Sequence, residues 1–180
     1  MRKNISLLSA LVVGLSGFVA MPARATESSD AQDVSKLLSE AKTMAFQLKE
    51  DAATMESFNR MNVSRESHAE AINQIKDHVN ALIRQSAKLR DAKAKAEPWQ
   101  KQVIDRINPY LDELTGYTEA VIEHLSGEKK HNFAEYQDYL EANADYSADL
   151  AAMIANVVDY GKARNRVDQL GAKLEISRSK

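Results

Sequence analysis

The 180-residue chain has no cysteine, three prolines, six glycines and one tryptophan. Without cysteine there is no disulfide to brace the fold, no Cys-x-x-Cys-His site for covalent haem and no thiolate metal centre. Lipid attachment to a cysteine after a leader is excluded for the same reason. Glycine and proline are both missing from Ala23 to Glu97, a long stretch with no backbone breaker. Gly-x-Ser-x-Gly, a Walker A loop and His-Glu-x-x-His are also absent, so no catalytic motif is in view and the chain is read as a non-enzyme.

Long apolar runs are equally scarce. The one candidate is Ile5 to Met21, preceded by Arg2 and Lys3 and followed by Ala23-Arg24-Ala25. A positive start, a short apolar stretch and a small-x-small site describe a cleavable signal peptide, cut after Ala25. The run is shorter than the roughly 20 residues a spanning helix needs. Residues 1–25 are therefore expected to be an export signal and residues 26–180 a single mature domain, periplasmic or secreted. Loss of Arg2, Lys3 and Arg24 leaves 21 basic and 26 acidic residues. An acidic chain of this kind is not expected to bind nucleic acid, which needs clustered Lys and Arg. Stable membrane anchoring after cleavage is not expected either.

What is present is helical periodicity. Val34, Leu38, Ala41, Ala45, Leu48, Ala52 and Met55 step by four and three, the seam of a helix packed along another helix. His68, Ile72, Ile75, Val79, Leu82, Ser86 and Leu89 repeat the pattern, and so do Ile104, Ile107, Leu111, Leu114, Thr118, Val121 and Leu125. The fourth segment carries Phe133, Tyr136, Leu140, Leu150, Ile154, Val157 and Val167. The spacing predicts helices over about 30–60, 64–96, 98–126 and 132–174, with Ser64 as an N-cap and Pro98 in a first turn. Short polar Asn59, Asn62 and Ser64 separate the first two. Pro109 either kinks the third helix or, with Asn108, caps a new one; the unbroken phase favours the kink. The fold class is all-α: an up-down-up-down four-helix bundle with a long C-terminal helix, preceded by a cleavable signal peptide. That last helix must overhang the bundle, fold back over its end, or bend, with Gly161 the place for a bend.

Bundles of this kind often hold metals or haem. A di-iron site wants Glu-x-x-His on two helices; only Glu128-Lys129-Lys130-His131 matches, and it falls in a loop. No metal site and no cofactor are expected. Non-covalent haem needs only an axial ligand, and His68, the one histidine on a core seam, is the candidate in that alternative reading. The acidic row Glu135, Asp138, Glu141, Asp145 and Asp149 lies along a straight helix, which spreads carboxylates and does not wrap an ion. Leu114-Thr115-Gly116-Tyr117-Thr118 keeps only the first two residues of the Leu-Thr-x-x-Gln motif of helical periplasmic chaperones, and no family is drawn from it.

The lead expectation is an exported bundle that acts through its surface, by binding an unidentified protein or by self-association. The residues expected to form that surface are Val167, Leu170 and Leu174 of the tail, with Tyr136, Tyr139 and Tyr146 as an aromatic groove. A stress or chaperone-like role in the envelope is the further alternative.

Overall fold

In the computed structural model, the described residues are 29–61, 63–127 and 133–174. They form four helices: α1 (Ser29–Ser57), α2 (Arg65–Ala92), α3 (Pro98–Ser126) and α4 (Phe133–Lys173). Single 3₁₀ turns, Phe58–Arg60 and Lys93–Lys95, extend α1 and α2. No strand occurs among the described residues. The leader, Asn62, the Glu128–His131 run and Ile176 lie outside them.

The helices pack as a bundle in which each lies against two neighbours: α1 on α2 and α4, α3 on α2 and α4. The core is one apolar cluster drawn from all four. Its α1 wall is the predicted seam, Val34 through Met55, with Ala31 added one turn earlier. Ala41, Ala45 and Ala52 in that seam let neighbouring backbones approach closely. The α2 and α3 seams are buried from Ile72 to Leu89 and from Ile104 to Val121, and only their ends, His68 and Leu125, are half-buried. Each large aliphatic chain removed from water contributes about 1.5–3 kcal/mol, and twelve large side chains are essentially fully enclosed.

Local chemistry sets the ends. Ser64 caps α2, its Oγ accepting from the Ser67 N–H at 3.2 Å. Pro98 occupies the first turn of α3, and the Glu97 N–H donates to Gln100 Oε1 at 2.8 Å. α3 runs through Pro109 as one helix; Pro109 is exposed, so the carbonyl it leaves without a helical donor can face water. Polar contacts fix which parts of the helices meet. Gln85 Nε2 donates to Leu37 O and Glu40 Oε2, each at 3.0 Å, and Lys95 reaches Asp30 at 2.8 Å. Ser86 donates to Asn108 at 2.7 Å, Lys93 meets Asp105, and Arg65 donates to the Leu125 carbonyl. Thr118 donates to Asn143 at 3.1 Å, and Lys42 to Asp159 at 2.9 Å.

α4 departs from expectation in two respects. Its core row is Tyr136, Leu140, Asn143, Ser147, Leu150, Ile154, Val158 and Gly161. Val157 is half-buried, while Phe133 and Val167 are exposed. Phe133 stands in the first turn, at the end of the bundle. Val167 is ten residues beyond Val157, roughly a quarter turn out of phase at 100° per residue. Gly161 is not a bend: α4 is helical from Phe133 to Lys173 without interruption. Gly161 is instead where Trp99 of α3 packs, and a Cβ there would sit 2.7 Å from the indole Cη2. The glycine is a notch for a ring. Nor does the tail fold back, since the helix continues past Val167 and Leu170.

Candidate functional site

The candidate surface lies along α4. At 1.5 Å per residue α4 is about 61 Å long and α1 to α3 about 42–44 Å each, so its excess length is more than three turns. Arg164 of α4 pairs with Glu97, the residue that caps α3, at 3.8 Å. Past that point Val167, Leu170 and Leu174 are 48%, 40% and 66% exposed. Lys162, Arg164, Arg166 and Lys173 surround them.

At the other end of α4 the tyrosines divide. Tyr139 and Tyr146 are half-buried at the α3/α4 seam and join Tyr117 and Tyr110 in a continuous ladder. Ring centroids are 6.4 Å apart for Tyr117–Tyr139, 5.6 Å for Tyr117–Tyr146 and 6.3 Å for Tyr110–Tyr146. Carboxylates flank it. Glu135 accepts the Tyr139 hydroxyl proton in a hydrogen bond and so holds that hydroxyl's pKa above the phenol range; the charge of Glu113 does the same for Tyr146. From Tyr110 to Gly127 and from Phe133 to Val158 there is no lysine or arginine. The ladder is therefore an aromatic strip edged by carboxylates.

Compared with family models, curated proteins and solved structures, the chain matches none.

Tyr136 does not join the ladder. It is 4% exposed, and burial pushes its hydroxyl up to about 12. Its hydroxyl shares a 2.6 Å hydrogen bond with His68 Nδ1, and His124 stacks on its ring at 4.5 Å. Phe58 meets His68 edge-on at 5.2 Å. The histidine singled out as a ligand candidate is thus the polar partner of a buried tyrosine. Burial lowers its pKa, since desolvation disfavours the charged ring. Among the described residues no three His, Asp or Glu side chains converge as a metal would require. A groove of about 480 Å³ lies elsewhere, between α1 and α4, lined by Lys42, Phe46, Glu50 and Lys162 among others.

The buried glutamines carry contacts that the helical seams do not predict. Gln100 Nε2 donates to Ser35 Oγ at 2.9 Å and to Ala31 O at 3.3 Å. Its signal was available: Glu97-x-x-Gln100 beside Pro98 has capping-box spacing. Gln85 carried no such signal, because nothing in the α2 pattern separates it from an edge residue.

Proposed function

We propose that this chain is an exported, non-enzymatic helical bundle, released after Ala25, that works through its surface by self-association in the cell envelope. The four helices run alternately up and down; contacts such as Arg65 with Leu125 and Lys93 with Asp105 support that order. The observation that carries the reading is that α4 runs on past the start of α3, where Gly161 meets Trp99, with Val167, Leu170 and Leu174 exposed on that stretch. Three aliphatic chains left about half exposed forgo roughly half of the 1.5–3 kcal/mol that full burial gives each, a cost that an occupied docking face removes. No described helix is long and apolar enough to cross a membrane, and the mature chain as a whole is net acidic.

Two measurements test this. Mass spectrometry of the protein from its native compartment should find Thr26 as the first residue. Light scattering of residues 26–180 should show concentration-dependent association that is lost when residues 166–180 are removed. A strict monomer whose stability and associations ignore that truncation refutes the reading.

A further inference from the structure

The charge of α4 is segregated along its length. From Phe133 to Asp159 it carries six carboxylates and no lysine or arginine. From Tyr160 to Leu174 it carries Lys162, Arg164, Arg166 and Lys173 against Asp168 alone. Asp138, Glu141, Asp145 and Asp149 are exposed on the acidic half, Arg166, Val167 and Leu170 on the basic half, and Ala152 and Asn156 between them. At 100° per residue these positions lie on the side of α4 opposite its core row. The halves differ in a second way: the acidic half is edged by the tyrosine ladder, and the basic half displays bare aliphatic chains.

The geometry points to a homodimer in which two α4 helices lie antiparallel, the cationic apolar tail of each resting on the acidic, tyrosine-edged half of the other. The inference rests on the self-association reading and specifies its interface. Antiparallel pairing opposes unlike charges over the whole contact. Parallel pairing would set one acidic half against another, and like charges facing each other are strongly unfavourable. The arrangement is isologous, so each tail fills the site of its partner and the assembly closes as a two-fold dimer with no tail left over. The crossing point falls where exposed side chains are small, at Ala152 and Asn156. The register that sets Asn156 opposite itself brings Arg166 level with Asp145, within one residue, and Lys173 level with Asp138 and Glu141, within two residues. A cation then meets an exposed carboxylate at both points. Ala163 falls opposite Asp149 in the same register. A basic helix with an apolar face is also suited to an anionic lipid surface, and the test separates that outcome.

The absence of cysteine makes introduced thiols unambiguous reporters. Mature protein is prepared as Asn156→Cys, as Ala163→Cys, and as a mixture of Ala163→Cys with Asp149→Cys, then treated with a short dithiol-reactive linker. All three positions are exposed, and urea midpoints check that each variant is folded. The expected result is dimer from Asn156→Cys and from the mixture, and little from Ala163→Cys alone. Separately, Arg166→Glu with Lys173→Glu should weaken dimerisation at least tenfold. Adding Asp145→Lys and Asp149→Lys to the same chain should recover most of that loss. A dimer linked through Ala163→Cys to itself, or one indifferent to the charge reversal, overturns the antiparallel interface and leaves self-association standing. A monomer at every concentration, with Asn156→Cys unlinked, overturns both. A monomer that binds vesicles containing anionic lipid, but not neutral ones, assigns the tail to a lipid surface and overturns the dimer.

Discussion

Adding one methyl group at Gly161 distinguishes a packing notch from a helix weak point. In an open helix interior, Gly→Ala stabilises by about 1 kcal/mol, because alanine restricts the unfolded backbone and suits the helix. Gly116 offers that situation, with nothing within 4 Å of where a Cβ would stand. At Gly161 the same methyl would lie 2.7 Å from Cη2 and 3.3 Å from Cζ2 of Trp99. Trp99 is itself packed edge-on against Tyr160 at 5.5 Å, and overfilling a packed site costs about 1–3 kcal/mol. Gly116→Ala should therefore raise stability by about 1 kcal/mol, and Gly161→Ala should leave it unchanged or lower it by up to about 2 kcal/mol. For a chain of this size each kcal/mol moves the melting temperature by about 2–4 °C. Thermal melts of the two variants should thus separate by several degrees, with Gly116→Ala the higher. Trp99 is the sole tryptophan, so its emission should change in Gly161→Ala and stay unchanged in Gly116→Ala. In a Trp99→Ala background the Gly161 substitution should become stabilising, a coupling that a double-mutant cycle reads directly. If Gly161→Ala stabilises the native chain as much as Gly116→Ala does, the notch does not exist.

Three further outcomes follow from the buried polar contacts and the core. His68 has a lowered folded-state pKa, so the unfolded chain takes up its proton first. Stability from this group is full above about pH 6.5 and is lost as pH falls through the folded value. Urea midpoints measured on both sides of pH 6.5 should drop less for His68→Phe than for the native chain; equal drops would remove His68 from the acid response. Thr118→Val strips Asn143 Oδ1 of its buried donor and should cost about 1–3 kcal/mol in urea unfolding. Asn143→Leu in the same chain should restore part of that, and a fully additive loss would contradict the pairing. Leu150→Ala, at a fully enclosed site, should cost about 2–5 kcal/mol; a loss below 1 kcal/mol would mean that α4 is not seated on the core there.

The helical seams were legible because burial in a bundle repeats with the helix itself. Val34 to Met55, Ile72 to Leu89 and Ile104 to Val121 follow one arithmetic of four and three, and each position is enclosed. Ser64 and Pro98 marked helix starts through the chemistry of their own side chains and rings. Periodicity weakened on α4, where alanine, asparagine and serine share the inner row with Leu140 and Ile154; hydrophobicity alone could not phase it, and Phe133 and Val167 were assigned inward. Only the packing of four helices decided the rest. It turned Gly161 from a weak point into a seat for Trp99, because a ring from another helix needed the space. It drew Tyr136 inside to meet His68 and His124, and left Tyr139 and Tyr146 at the seam with Tyr110 and Tyr117. Local sequence sets which face of a helix is apolar. Which polar group that face meets depends on residues of other helices, 22 positions away for Ser86 and Asn108 and 117 for Lys42 and Asp159, and one-dimensional spacing does not encode that partner.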